Sequence, residues 1–319
     1  MALLNMVQAI NLALRQEIER DKDVVLLGED VGKDGGVFRV TEGLMEKFPD
    51  RVIDTPLAES SIVGAAIGMA VYGLKPVAEI QFMGFIYASI EQLYSHASRI
   101  RSRSRGRYSC PMVVRAPYGI GIKSPDLHSE SSEALFCHMP GIKVVVPSSP
   151  YNAKGLLISA IRDTDPVIFL EPTRLYRLIK EDVPETEYTV PLGRARVAQD
   201  GREITVLAWG SMLHRALQSI EGFDAEVIDL MTLSPYDEDT ILNSVKKTGR
   251  VVIVQEATRN CGFGAELSAF IAEEAMLHLK APIIRVTGLY AVPPMPKLED
   301  YYAPSNERIV NALKKVMEY

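Results

Sequence analysis

The chain has 319 residues, with 35 basic against 41 acidic side chains and a net charge of −6. That balance argues against a general nucleic-acid binder, and 47% hydrophobic with 24% charged residues is the make-up of a folded enzyme with room for two domains. Cys110, Cys137 and Cys261 are too few and too scattered for a zinc site or a disulfide framework, which points to reduced thiols in a cytoplasmic setting.

No basic segment precedes the first apolar residues, so no signal peptide is expected. Met6, Ile10, Leu14 and Ile18 recur at helical spacing and predict a helix over Leu3–Arg20, followed by a strand at Val24–Leu27. Further helices are expected at Ala58–Tyr72, Ile86–Ile100 and Tyr151–Arg162. Strands are expected at Val77–Phe82, Met112–Arg115, Lys143–Pro147 and Val167–Leu170. The longest uncharged run, Ser60–Leu74, falls short of the roughly 20 residues of a membrane span. Arg99, Arg101, Arg103, Arg105 and Arg107 follow a helical pattern with little aromatic company, and read as a solvated helix end or a protein interface.

Around residues 180–203 the composition turns polar, with Pro184 and Pro191, and reads as a linker. Beyond it come strands at Ile204–Ala208, Ala225–Leu230, Arg250–Gln255 and Ile283–Val286, and a last helix at Glu307–Tyr319. This alternation predicts an α/β fold of two domains, roughly 1–185 and 186–319, each a largely parallel sheet flanked by helices.

Glu59 is the first candidate for chemistry. After Ser61 the helix that it opens carries no charge on any side, so the helix is expected to be buried on all faces. A carboxylate in its first turn would be partly desolvated, beside the positive end of the helix dipole. It either satisfies free N–H groups at the helix start or faces a cofactor. His128 lies in the polar loop Ser124–Glu133 between two expected strands, where α/β sheets build active sites, and histidine is a residue type suited to proton transfer. Taken alone, a loop histidine is more often an exposed polar residue. His96, His138 and His214 look structural, and His278 is expected to face solvent. Gly210, Gly262 and Gly264 complete no dinucleotide fingerprint and read as packing turns. There is no phosphate-binding Walker loop, no His-Glu-x-x-His and no Gly-Asp-Gly segment for a magnesium-diphosphate site.

Taken in order, Gly28-Glu-Asp-Val, Gly35-Gly-Val-Phe-Arg, Asp54-Thr-Pro-Leu-Ala-Glu59, Ala78-Glu-Ile-Gln-Phe82, His128-Ser-Glu-Ser-Ser-Glu-Ala and Cys137-His-Met-Pro-Gly form a set. With Ala153-Lys-Gly-Leu-Leu, Glu226-Val-Ile-Asp-Leu and Lys247-Thr-Gly-Arg250 they resemble, nearly end to end, the beta subunit of 2-oxo acid dehydrogenases that use thiamine diphosphate. Gly35–Arg39, the Ala-Glu-Ile-Gln-Phe strand and Phe169–Arg177 favour the branched-chain type, whereas Phe85 stands where that type often has Tyr.

The resemblance implies a transketolase-like pyrimidine-binding domain followed by a transketolase C-terminal domain that carries assembly. It also implies an alpha subunit that holds the diphosphate and magnesium, in a unit of two alpha and two beta chains, and a lipoyl acyltransferase as partner. Glu59 would share a proton with the aminopyrimidine ring nitrogen, and Leu57, Gln81 and Phe85 would line the pyrimidine pocket. His128 would supply a proton as the acyl group moves to the lipoyl carrier. A potassium ion would be held near Met112, Ala160, Ile161, Asp163 and Asp165. The substrate would be a small 2-oxo acid, branched or, in the neighbouring enzymes, pyruvate or acetoin. A piece of a split transketolase-like enzyme and a non-catalytic scaffold are the competing readings.

Overall fold

The structure is a computed structural model that describes residues 1–319. In chain order its main elements begin with β1 (Ala2–Asn5), α1 (Met6–Arg20), β2 (Val24–Gly28), β3 (Val52–Asp54), α2 (Glu59–Tyr72), β4 (Lys75–Glu79) and β5 (Val113–Tyr118). There follow α3 (Glu133–Cys137), β6 (Lys143–Val145), α4 (Pro150–Arg162), β7 (Val167–Pro172) and β8 (Lys180–Val183). The second unit holds β9 (Arg196–Gln199), β10 (Ile204–Ala208), α5 (Ser211–Ser219), β11 (Ala225–Asp229), β12 (Thr232–Ser234) and α6 (Glu238–Thr248). It closes with β13 (Val251–Thr258), α7 (Phe263–Ala275), β14 (Ile284–Gly288) and α8 (Asn306–Met317).

A seven-stranded sheet runs β12-β6-β7-β5-β4-β2-β3 and a five-stranded one runs β14-β13-β10-β11-β9. Every pairing is parallel except at one edge of each, β12 on β6 and β9 on β11. Helices cover both faces of a parallel sheet, so its central strands are apolar on both sides, and β2, β5 and β7 are buried along their whole length.

Some local expectations give way. The chain start is not helical: Ala2–Asn5 pairs antiparallel with Lys180–Val183, and the helix opens at Met6. Asn5 and Gln8 form a reciprocal capping box, each side chain on the other's backbone N–H at 3.0 Å, which ends the strand and starts the helix. The polar stretch expected to be a linker contributes two strands, β8 and β9. The helix expected over 86–100 is broken into a 3₁₀ turn at Met83–Ser89, a π turn at Gln92–His96 and a second 3₁₀ turn at Ala97–Arg99. Such departures occur where tertiary contacts re-aim side chains. Here the turn begins where the Leu127 carbonyl reaches Gly84, so close that a Cβ on residue 84 would lie 2.2 Å from it.

The two units share their core. One cluster of 36 buried residues runs from Leu27, Ile62 and Met83 through Phe136 and Ile168 to Trp209, Leu233 and Phe263, so the facing sides of both sheets are packed as one. β12 adds to this by leaving the second unit to pair with β6, Thr232 opposite Val145. On the outer face of the first sheet α1 packs against α4, and α5 with α8 closes the far side of the second.

α2 corrects a further expectation. Ile62, Val63, Ala66 and Ala70 are buried, but Gly64, Ala65, Gly68 and Val71 are exposed and Tyr72 is 88% exposed. The helix is apolar all round yet covered on one side only, because this chain provides nothing to pack on the other.

Candidate active site

β4, β2 and β3 are neighbours, and their carboxyl ends deliver Gln81, then Glu29 and Asp30, then Glu59 to one edge of the sheet. Open α/β sheets bind ligands at this edge, where strand ends and helix starts converge. β5, on the far side of β4, runs at its carboxyl end into the loop that carries His128.

Glu59 is half-buried in the first turn of α2, and no side chain caps that helix start. Its carboxylate therefore sits at the positive end of the dipole with the N–H groups of the first turn unclaimed by other side chains. It is close enough to Glu29 to act on it: burial first, then the charges of Asp30 and Glu59, push the Glu29 carboxyl up. Gln81 donates to Asp30 at 3.3 Å. Glu29 and Asp30 are site residues to which the sequence alone assigns no role. A signal was nonetheless present, an acidic pair directly after a strand that ends in glycine.

His128 is half-buried against two aromatic rings, Phe82 at 4.3 Å between centroids and Phe85 at 5.2 Å in an edge-on contact. Its Nδ1 is buried with no hydrogen-bond partner. A buried polar atom without a partner is costly, and a ligand group placed here would satisfy it. Phe82, which sequence reasoning passed over, makes the closer contact to the imidazole. Leu57 is 70% exposed beside this edge and packs into no pocket of this chain.

These features fit an aminopyrimidine. A flat heteroaromatic ring placed here would find aromatic edges in Phe82 and Phe85, a carboxylate for a ring nitrogen in Glu59, and an unpartnered imidazole nitrogen in His128.

The residues that the resemblance links to potassium are brought together elsewhere, at the amino edge of the same sheet, just before β5 and β7. Asp163 is paired with Lys143, and Asp165 accepts from Arg101 at 2.6 Å. The Met112 carbonyl accepts from the Val167 N–H at 2.9 Å, and that of Ala160 from the Asp163 N–H at 3.2 Å. With both carboxylates neutralised, main-chain carbonyls are the oxygens left for a hard cation.

Beneath this edge lies a buried ionic cluster. Arg115 of β5 donates to Glu171 at 2.7 and 3.0 Å and to Glu79 at 2.7 Å, and the Tyr176 hydroxyl donates to Glu171 at 2.6 Å. Burial opposes the guanidinium charge, but Glu171 and Glu79 outweigh it and keep Arg115 charged. Burial pushes the Glu79 carboxyl up. The cluster ties the ends of β4, β5 and β7 directly under Gln81 and Phe82. Tyr176 also carries Phe38, whose ring meets Phe82 at 5.5 Å.

Fold and site together define a transketolase-like pyrimidine-binding unit joined to a transketolase-type C-terminal unit. Residues 3–179 match the model of the transketolase pyrimidine binding domain and residues 193–309 that of the transketolase C-terminal domain. The chain is 49% identical over 322 residues to the pyruvate dehydrogenase E1 component subunit beta of Acholeplasma laidlawii, covering 99% of this chain and 98% of the relative. It is 47% identical over 325 residues to the protein of the same name from Bacillus subtilis (strain 168), covering 100% of both. Among solved structures, a split gene transketolase described as an inactive beta4 tetramer superposes with a TM-score of 0.82 at 22% identity, covering 99% of each chain, and shares the fold. The chain belongs to the family of E1 beta subunits of 2-oxo acid dehydrogenases, oxidoreductase components that work with thiamine diphosphate. Both bacterial relatives carry the pyruvate name, not the branched-chain one to which the sequence segments pointed. No helix is long and apolar enough to cross a membrane.

Proposed function

We propose that this chain is the beta subunit of a pyruvate-type 2-oxo acid decarboxylase component, and that it works only with an alpha subunit. The observation that carries this reading is the convergence of Glu59, Phe85 and His128 at one sheet edge, with Glu59 at a helix start and the His128 Nδ1 without a partner. Pyruvate takes precedence over branched 2-oxo acids because relatives at 47–49% identity over their whole length bear that name, and because Phe85 replaces the tyrosine of the branched-chain pattern. The bare face of α2 is the surface that an alpha subunit would cover, in a unit of two alpha and two beta chains. The division near residue 185 into a pyrimidine-binding and an assembly domain is part of the same proposal. So are a cytoplasmic location and the acyltransferase as the partner of the second domain.

Thiamine diphosphate, with magnesium held by the alpha subunit, supplies the electron sink for loss of carbon dioxide. The residues of this chain do the rest. Glu59 would meet the aminopyrimidine ring nitrogen, Phe85 and Phe82 would lie beside that ring, Gln81 would border it, and Leu57, exposed on this chain, would reach it only at the subunit interface. His128 would give a proton to the sulfur that leaves as the S–S bond of the dithiolane opens and the other sulfur takes the acyl group. A potassium ion on the carbonyls that end α4 would stiffen the opposite edge.

The test is decarboxylation by the chain reconstituted with its alpha subunit, comparing pyruvate with 3-methyl-2-oxobutanoate through an artificial electron acceptor. Glu59→Gln should reduce turnover by about 100-fold or more while the complex still assembles. Full turnover in that variant would remove Glu59 from the chemistry. Preference for the branched acid would return the substrate to the branched-chain reading.

A further inference from the structure

The second unit, assigned above to assembly alone, reaches into the first through one buried side chain. Glu256 lies on β13 and is 3% exposed. Its Oε1 accepts from the Ile120 N–H at 2.7 Å and from the Ser131 hydroxyl at 2.7 Å, and its Oε2 from the Ser211 hydroxyl at 2.9 Å. Ile120 and Ser131 are the two ends of the loop that holds His128. The Gly119 N–H closes the neck of that loop on the Glu130 carbonyl at 2.8 Å. The loop is thus a compact surface excursion whose ends meet, with a carboxylate from another unit bridging them. A Cβ on residue 119 would lie 2.5 Å from Glu256 Oε1, and φ there is +82°, so the approach requires glycine. Higher on the loop, the Lys123 N–H donates to Glu299 at 2.8 Å, and Ile120 packs with Tyr302 and Ala303.

We propose that Glu256 is a positioning residue for His128. It clamps the neck of the histidine loop and so sets how the imidazole lies on Phe82 and Phe85. The catalytic consequence rests on the reading of His128 as the proton donor in acyl transfer; the clamp itself does not. Without the carboxylate, the Ile120 N–H and the Ser131 hydroxyl lose a common acceptor, and the remaining contacts of the second unit with the loop, Glu299 on Lys123 and Tyr302 on Ile120, do not bridge its two ends. The imidazole then samples positions away from the aromatic pair, and the step that needs its proton slows more than the step that does not.

The experiment has two arms. Hydrogen exchange on the full-length chain compares the wild type with Glu256→Ala, Glu256→Gln and Ser131→Ala. Glu256→Ala should raise exchange over residues 119–131 by roughly tenfold to 100-fold and leave β10 unchanged. Glu256→Gln should stay near wild type, since its carbonyl accepts both loop bonds and its amide can donate to Ser211. Ser131→Ala, which removes a single bond, should fall between them and carries this arm if Glu256→Ala does not fold.

In the reconstituted complex, Glu256→Ala should lower acyl transfer to a lipoylated acceptor by about tenfold and decarboxylation by less than about threefold, with Glu256→Gln restoring both. An unchanged loop in the exchange arm overturns the clamp. Parallel loss of both activities, or a Gln variant as impaired as the Ala variant, overturns the positioning role. A wild-type complex with no decarboxylation would instead defeat the functional reading and leave the exchange result standing.

Discussion

Trp209 is the single tryptophan of the chain, and its indole N–H donates to Glu133 Oε1 at 3.2 Å. Its fluorescence therefore reports on a buried acid. Glu133 is fully buried, its Oε2 has no partner, and burial, reinforced by the nearby Glu256 charge, pushes its carboxyl from 4.5 up to about 8. Such a displacement corresponds to about 5 kcal/mol, at roughly 1.4 kcal/mol for each tenfold change in proton affinity. The sign follows from linkage. The folded chain keeps a proton that the unfolded chain has released, so the stability is complete below 4.5 and is lost as pH rises towards 8.

Emission from Trp209 should accordingly titrate with a midpoint near 8 and be flat in Glu133→Gln, whose carbonyl still accepts from the indole. The urea midpoint of the wild type should fall relative to that of the variant between about pH 5 and pH 8 and level off above that. A flat wild-type titration, or an unchanged midpoint in Glu133→Gln, would show that the acid beside Trp209 is not the one that ionises.

Three further outcomes are expected. Arg115→Met leaves Glu79 and Glu171 buried without their cation, and should cost about 3–5 kcal/mol in urea denaturation at pH 7. The loss should shrink at pH 5 as Glu79, whose carboxyl burial already pushes up, takes up a proton, and an equal loss at both pH values would refute the account. Gly84→Ala drives a methyl group into the Leu127 carbonyl, and should cost about 1–3 kcal/mol while speeding chemical modification of His128; wild-type melting with wild-type modification would show that the loop does not rest on Gly84. If potassium binds the carbonyls ending α4, melting in KCl should exceed that in NaCl of equal ionic strength by roughly 2–4 °C, and identical melting curves would remove the ion.

Much of this protein was legible in its sequence, and for a local reason. Apolar runs of strand length alternating with helical periods announce a parallel α/β fold, since strands covered on both faces carry no polar side. Glu59 at the head of an uncharged helix and His128 in a loop after a strand were visible because position along an element correlates with position at the sheet edge. What the sequence obscured depends on partners distant in the chain. The strand at Ala2–Asn5 exists because residues 180–183 lie beside it, and the 3₁₀ turn at Met83–Ser89 sits where the Leu127 carbonyl reaches Gly84, just before the helix expected at 86–100.

Only the tertiary structure decided that α2 keeps one face bare. Apolar composition measures the water that a helix must shed, and it does not say whether its own chain or another sheds it. Likewise a lone glutamate at position 256 carries no mark in the sequence. Its three hydrogen bonds, two of them to the ends of the His128 loop, arise from the close packing of two sheets, which brings together residues more than a hundred positions apart.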